Sequence, residues 1–181
     1  VYDPCCGVAH LLTTLGFLHG GAIAALIGSD VDLDALDLAR RNLDLLTTDG
    51  LAARAAGLRA MASRFGKPGY DVAATDADGM AHRLAVFGNP NGTATRAFQA
   101  DALNPQALAA HLAPGSVDFL FTDVPHGRFV AWRADDRAGP DALVSGMLDA
   151  VRPALAAHAV VAVGVGRRQR VAHPAYLRVE R

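Results

Sequence analysis

A short segment at the amino terminus combines a carboxylate, two thiols and the residues of a tight turn. It follows a very short apolar strand and reads Asp3, Pro4, Cys5, Cys6 and Gly7. An acidic pair, Asp30 and Asp32, follows one helix and one strand further along the chain. A β-α-β unit of this kind places backbone N–H groups at the start of a helix and an acid at the tip of the next strand. Such a site suits a nucleotide-like ligand whose ribose hydroxyls need a charged acceptor.

The turn differs from the fingerprint of dinucleotide-binding proteins. Gly7 is followed by Ala9 and Leu12, so the Gly-x-Gly-x-x-Gly spacing is absent. This absence argues against a dehydrogenase that uses a nicotinamide dinucleotide. An adenosyl cofactor without a pyrophosphate does not need the three glycines, and S-adenosylmethionine is the candidate that these residues favour.

Two further aspartates, Asp101 and Asp123, follow the third and fourth predicted strands. In open parallel sheets, ligands bind outside the carboxyl ends of the strands. A single aspartate at such a place is often only a turn or cap residue. Four of them at one edge favour a binding site, so we expect Asp3 and Asp30 to lie beside these two.

Hydrophobic periodicity predicts strands that alternate with helices. The predicted helices cover 11–18, 33–47, 49–64, 70–87, 105–112 and 141–156, and the predicted later strands cover 22–27, 95–100, 117–122, 158–165 and 176–179. Asp32 is the expected N-cap of the 33–47 helix. The alternation predicts an α/β fold with a parallel sheet and helices on both faces, and the helical pair at about 49–88 is an insertion after the second strand.

Length and composition predict one globular domain over residues 1–181. No segment is long and apolar enough to span a bilayer, so no membrane partner is expected.

The net charge is −1, but residues 151–181 hold six arginines against one glutamate. Such a basic strip favours contact with a phosphate backbone, although a solvated charged surface explains it equally well. Because barely two residues precede the first turn, we expect a truncated amino terminus.

The two cysteines of the chain are neighbours in sequence, at Cys5 and Cys6. An ordinary disulfide between adjacent cysteines is strained. No Cys-x-x-Cys pair and no histidine pair at ligand spacing accompanies them, so no metal site is expected. We expect reduced thiols in a cytoplasmic protein.

Three segments together resemble the class I S-adenosylmethionine-dependent methyltransferases that modify nucleic acids: 3–7, 30–32 and 123–127, the last of which reads Asp-Val-Pro-His-Gly. The chain also resembles the avilamycin-resistance family of rRNA methyltransferases, which modify a guanine base of 23S rRNA. This likeness lies in residues 12–19, 64–70 (Arg-Phe-Gly-Lys-Pro-Gly-Tyr) and 122–127. The likeness covers most of residues 1–166. It implies a Rossmann-like, cytoplasmic, monomeric enzyme that uses S-adenosylmethionine, binds 23S rRNA and contributes to antibiotic resistance.

The resemblance also assigns roles to individual residues. It implies that the turn cradles the methionine end of the cofactor, through Asp3, Pro4, Cys5, Cys6 and Gly7. Asp30 accepts the ribose hydroxyls, for which charge-assisted hydrogen bonds give the physical reason, and Asp32 is also placed at the cofactor. The resemblance further implies that Asp101 and the neighbouring Ala102 contact adenine, although a plain turn explains Asp101 nearly as well.

The loop after the fourth strand is the active-site loop in this resemblance. Asp123 belongs to both the cofactor-binding and the catalytic set, and it is followed by Pro125 and His126. Related enzymes carry an acidic or amide residue, then proline, then an aromatic residue that stacks on the flipped base. Here His126 stands at the aromatic position, and imidazole both stacks and titrates near neutral pH. We therefore assign it to the target base.

These assignments predict in-line attack of a guanine ring nitrogen on the sulfonium methyl, with Asp123 as the acceptor or orienter of the ring proton. Positioning supplies most of the acceleration. Contacts to the RNA phosphates are expected from Arg64, Lys67, Arg167, Arg168 and Arg170. Phe129 and Trp132 are candidates to line the base pocket, although ordinary packing explains them at least as well. The alternatives are a methyltransferase of another nucleic acid, a protein or a small molecule, and an inactive RNA-binding remnant, for which Ala9 and His126 are the reasons.

Overall fold

A parallel sheet forms the centre of the molecule. The structure, a computed structural model, describes residues 1–87, 92–124, 139–166 and 171–177. In these ranges the strands are β1 (Tyr2–Asp3), β2 (Ala25–Asp30), β3 (Ala94–Gln99), β4 (Val117–Asp123) and β5 (Leu155–Gly164). They are arranged in the order β3-β2-β1-β4-β5, and every neighbouring pair is parallel. The chain changes direction across the sheet between β1 and β4, which is where open α/β sheets bind their ligands.

The described helices are α1 (His10–His19), α2 (Leu33–Asp44), α3 (Thr48–Phe65), α4 (Pro68–Phe87), α5 (Pro105–Ala109) and α6 (Pro140–Val151), with single 3-10 turns at Gly20–Ala22 and Arg152–Ala154. Apolar side chains form two separate cores on the sheet. One core joins the sheet to α1 and α2, through Leu12, Leu36 and Leu43. The other joins it to α5 and α6, through Leu108 and Met147. The predicted α/β sheet with helices on both faces is therefore confirmed.

The predicted helical insertion is a hairpin made by α3 and α4, after β2 and α2. Thr47 caps α3 by accepting a hydrogen bond from Gly50 N, and Gly66 ends the helix in the left-handed region at φ 63°. The two helices share a small core of their own, formed by Ala55, Leu58, Ala74 and Ala77. Alanine at these positions lets the helix axes approach closely. The hairpin is stabilised mainly by the contacts that α3 and α4 make with each other.

Some predicted boundaries were wrong for identifiable reasons. The helix predicted at 33–47 ends at Asp44, because Thr47 caps the next helix. The helix predicted at 141–156 ends at Val151, because Pro153 cannot continue it and a 3-10 turn follows. The strand predicted at 176–179 does not include Tyr176, which lies in a turn. The Tyr176 hydroxyl donates a hydrogen bond to Leu148 O at 2.8 Å. Residues 178–179 lie outside the described ranges.

The structure adds one finding about membranes. Over the described ranges, no helix combines the length and the apolar character that a membrane crossing needs.

Candidate active site

The strand-end aspartates lie along one edge of the sheet. Asp3, Asp30 and Asp123 are the last residues of β1, β2 and β4, and Asp101 follows β3 by two residues. Because all the strands are parallel, their carboxyl ends share an edge, as the register of Asp3 with Gly28 illustrates. The charges of Asp30 and Asp123 both raise the pKa of Asp3, which places the three carboxylates within electrostatic reach of one another. We call Asp3, Gly7, Asp30 and Asp123 the carboxyl-edge site.

The turn between β1 and α1 is fastened to both neighbouring strands. Asp3 Oδ1 accepts hydrogen bonds from Cys5 N at 3.0 Å and from Thr122 Oγ1, on β4, at 2.6 Å. Cys6 N donates to Ser29 O, on β2, at 2.9 Å. Asn42 Nδ2 on α2 donates to Val8 O at 2.8 Å. The turn is consequently held in place by three elements before any ligand binds.

Asp30 has a structural role that the sequence did not reveal. Its Oδ2 accepts from Gly7 N at 2.8 Å, and its Oδ1 accepts from Asp32 N at 3.0 Å. The carboxylate thus connects the turn to the end of β2. Each oxygen retains a second lone pair, so the carboxylate can accept ribose hydroxyls in addition.

Asp32 caps α2, which confirms the predicted N-cap. Its Oδ1 accepts from Asp34 N at 2.9 Å and from Ala35 N at 3.3 Å. Asp101 makes a similar local turn, in which its Oδ1 accepts from Leu103 N at 2.9 Å. Asp101 and Ala102 follow β3 at the carboxyl edge of the sheet, where the resemblance places adenine. The side chain of Asp101 is exposed and Ala102 is buried.

Two glycines make the close approaches at this edge possible, and the sequence analysis missed both. A Cβ on Gly28 would lie 2.8 Å from Cys6 Sγ and 2.9 Å from Cys6 Cβ, so only glycine lets the turn pack on β2. A Cβ on Gly164 would lie 3.0 Å from Asp123 Oδ1. The available signal was a glycine inside an apolar strand, which often marks a close approach.

Ala9 adopts a backbone conformation that alanine rarely takes. Its φ is 63°, in the left-handed region, and it is the only non-glycine with positive φ among the described residues. Its N donates to Cys6 O at 2.7 Å, which closes the turn. Ala9 is fully buried in the core with Leu12 and Leu26. The methyl group of Ala9 therefore packs inside the protein.

This conformation predicts an unusual response to truncation. Ala9→Gly removes about 1 kcal/mol of left-handed strain, which offsets the loss of a buried methyl (about 0.8 kcal/mol) and of backbone entropy (0.5–1 kcal/mol, roughly). We expect the free energy of unfolding to change by less than about 1 kcal/mol. Ala39→Gly, at an equally buried helical position, has no strain to release and is expected to cost about 2 kcal/mol. Denaturant unfolding compares the two, and equal losses would contradict the account.

Burial controls the ionisation of the turn. Asp3 is only 1% exposed, and this desolvation raises its pKa to about 6, although the hydrogen bonds from Thr122 and Cys5 N act in the opposite direction. Burial also raises the pKa of the Cys5 and Cys6 thiols, and the nearby Asp3 and Asp30 raise both further. Both cysteines are free thiols, as expected. They stay protonated at neutral pH, which argues against a nucleophilic role.

The raised pKa of Asp3 gives stability a defined pH dependence. Between about pH 4 and 6, folded Asp3 holds a proton that the unfolded chain has lost, so its contribution to stability falls as pH rises. A shift of about two units corresponds to about 3 kcal/mol. Asp3→Asn keeps an oxygen acceptor without a charge, so we expect it to gain stability relative to the wild type from pH 4 to pH 7. Urea unfolding across this range measures the difference, and a constant difference would contradict the assignment.

Several predicted site residues lie outside the described ranges. These are Pro125, His126, Phe129, Trp132, Arg167, Arg168 and Arg170. Within the described ranges, no group of three or more potential ligands is arranged to hold a metal ion. The sequence analysis missed the polar residues that fix the turn, Ser29, Asn42 and Thr122, since nothing in their local sequence indicates contacts with residues 23 or more positions away.

The chain is similar to known rRNA methyltransferases. The family described as "RRNA methyltransferase AviRa" matches residues 1–181. A curated relative from Streptomyces viridochromogenes, "23S rRNA (guanine(2535)-N(1))-methyltransferase", is 43% identical over 163 residues, which cover 90% of this chain. The chain spans only 63% of that relative's length.

Two solved structures of rRNA methyltransferase aviRa from the same organism also match. The structure at 1.5 Å has a TM-score of 0.81 and 38% identity, covering 99% of this chain and 72% of the solved one. The structure at 2.4 Å has a TM-score of 0.73 and 41% identity, covering 90% and 63%.

Proposed function

Because this chain belongs to the AviRa family of rRNA methyltransferases, we propose that it methylates a guanine base of 23S rRNA with S-adenosylmethionine as the methyl donor. The observation that carries the proposal is the convergence of Asp3, Asp30 and Asp123 at one sheet edge, around the Gly7 turn. The relative is named for guanine N1, and we propose the same ring nitrogen here. We further propose a monomeric, single-domain cytoplasmic enzyme that contributes to avilamycin-type resistance.

The carboxyl-edge site fits an adenosyl sulfonium. Asp3 is almost fully buried, and its Oδ2 accepts no hydrogen bond from any residue that the structure describes. Burying a carboxylate oxygen without a partner costs folding free energy unless a hydrogen-bond donor or a positive charge reaches it. A Cβ on Gly7 would meet nothing within 4 Å, so the turn borders open space. A ligand with a sulfonium, an ammonium group and two ribose hydroxyls matches these carboxylates in charge and in hydrogen bonding.

Each carboxylate has a different task in this proposal. When bound, the cofactor supplies an electrophilic methyl group on a positive sulfur. Asp30 holds Gly7 N and Asp32 N and accepts the ribose hydroxyls with its remaining lone pairs. Asp3 fixes the turn through Cys5 N and Thr122, and it supplies negative potential close to the positive ligand.

Asp123 is the carboxylate best placed to act on the target base. Asp3 is buried, and the carboxylates of Asp30 and Asp101 already accept backbone N–H groups. Asp123 is exposed at the end of β4, and no described residue donates a hydrogen bond to its carboxylate. It therefore has free acceptors for the ring N–H of guanine. Taking that proton makes the ring nitrogen nucleophilic, and orienting it aligns the attack.

Transfer of tritium tests the proposal. The chain is incubated with S-adenosylmethionine that is tritiated at the methyl group and with either naked 23S rRNA or intact large subunits, and the labelled nucleotide is mapped. We expect label in a guanine of one of these substrates. Cofactor binding without transfer to either RNA would favour a protein or small-molecule substrate, and RNA binding without any transfer would favour the inactive remnant.

A further inference from the structure

The tip of the α3–α4 hairpin presents an exposed aromatic ring. Phe65, at the end of α3, has 51% of its surface exposed. The Arg64 guanidinium carbon lies 5.2 Å from the centre of the Phe65 ring, within the range of a cation–π interaction. The Tyr70 ring lies 6.4 Å from it at a tilt of 44°, and Tyr70 packs against the core of the hairpin. Phe65 is thus supported on one side by a ring that is itself anchored.

The structural needs of the turn do not account for Phe65. Gly66 supplies the left-handed residue that ends α3, with its N donating to Ala62 O at 2.8 Å. Pro68 begins α4. The hairpin core consists of small residues and Leu58, and Phe65 is not part of it. Phe65 contacts Tyr70 and Arg64, but about half of its surface stays in solvent and takes no part in the hairpin core.

Charge indicates which partner would cover the ring. Residues 50–70 contain four basic residues and no acidic residue. Arg59 pairs with Asp78 on α4. Arg64 and Lys67 make no ion pair with any residue that the structure describes, and both are exposed. An exposed aromatic ring that is flanked in sequence by two cations without a described ion pair matches an unpaired base and the phosphates on either side of it.

Resting on the proposed function, we propose that the hairpin tip, defined as Arg64, Phe65, Lys67 and Tyr70, is a second RNA-docking surface outside the carboxyl-edge site. An unpaired base of the ribosomal RNA stacks on Phe65, and Arg64 and Lys67 contact its flanking phosphates. Tyr70 positions the ring of Phe65. The surface increases affinity for the folded RNA and takes no part in methyl transfer itself.

Filter binding of full-length 23S rRNA transcript tests this proposal. We expect Phe65→Ala to weaken binding about tenfold or more and Phe65→Tyr to bind within about twofold of the wild type, because base–aromatic stacking is retained. Arg64→Ala and Lys67→Ala should each reduce the slope of log affinity against log salt by a little under one. Val72→Ala removes a side chain of similar exposure, 62%, on the same hairpin, and is the matched control.

Three further readouts separate this proposal from the function of the chain. We expect Phe65→Ala to keep the wild-type affinity for S-adenosylmethionine and the wild-type single-turnover rate at saturating RNA. If Phe65→Ala binds RNA as tightly as Val72→Ala does, the proposed docking surface is overturned. The proposed methylation of 23S rRNA is not affected by that result. Phe65-dependent RNA binding without methyl transfer by the wild type would support the surface and refute the proposed function. If Phe65→Ala loses activity on intact subunits but binds naked RNA like the wild type, the tip contacts a ribosomal protein. That result would overturn RNA docking.

Discussion

Replacing Asp123 with alanine is expected to lower the single-turnover rate of methyl transfer to 23S rRNA by about 10²–10⁴-fold, the usual contribution of a positioned general base. The reason is geometric. Asp123 ends β4 beside Gly164, which has no side chain to crowd its carboxylate. It is the exposed strand-end carboxylate to which no described residue donates a hydrogen bond. Without it, the ring nitrogen keeps its proton and loses its orientation.

The matched control is Asp118→Ala, which removes an exposed carboxylate near the opposite end of the same strand. We expect it to react within about threefold of the wild type, since it lies away from the carboxyl edge. A normal rate for Asp123→Ala would remove Asp123 from the chemistry.

The second large effect is expected for Asp30→Asn, which should weaken S-adenosylmethionine binding by at least about a hundredfold. Both oxygens of Asp30 accept backbone N–H groups, from Gly7 at 2.8 Å and from Asp32 at 3.0 Å. Asparagine keeps one acceptor but turns an NH₂ group towards the other N–H, so a half-buried backbone donor loses its partner. Each hydrogen bond to a charged group contributes about 1.5–3 kcal/mol, and the turn and the ribose contacts depend on the same carboxylate.

Asp34→Asn is the matched control, because it makes the same chemical change four residues away, at an exposed side chain in the first turn of α2. Its carboxylate interacts with the helix dipole by only about 0.3–1 kcal/mol. We expect the stability of this variant to stay within about 1 kcal/mol of the wild type and its cofactor affinity to fall less than about fivefold. Isothermal titration calorimetry with S-adenosylmethionine compares the two variants. Equal affinities for both would mean that Asp30 does not organise the cofactor site.

The sequence predicted the features that repeat along the chain. Strand–helix alternation indicated a parallel sheet, and an aspartate after each of several strands indicated one shared edge. The cap at Asp32 and the α3–α4 insertion also follow from local patterns, because capping and helical periodicity act over a few residues.

The contacts that give the site its form could not be predicted in this way. Thr122 reaches Asp3 across 119 positions of sequence, and Asn42 reaches Val8 across 34. The sequence assigned Asp30 to a ligand, and nothing in it indicated that Asp30 also holds Gly7. The left-handed φ at Ala9 did not follow from its residue type, because alanine favours negative φ. Such features arise when strands pair, and local sequence does not report which distant backbone group lies opposite a side chain.

The most direct test of the central claim is a crystal structure of the chain with S-adenosylhomocysteine, the product form of the cofactor, supported by calorimetry of the same mixture. The account predicts that the adenosyl group lies at the carboxyl edge of the sheet, with its ribose hydroxyls within hydrogen-bond distance of Asp30 and its sulfur between the Gly7 turn and Asp123. A ligand bound at any other face, or calorimetry that detects no binding, would contradict it.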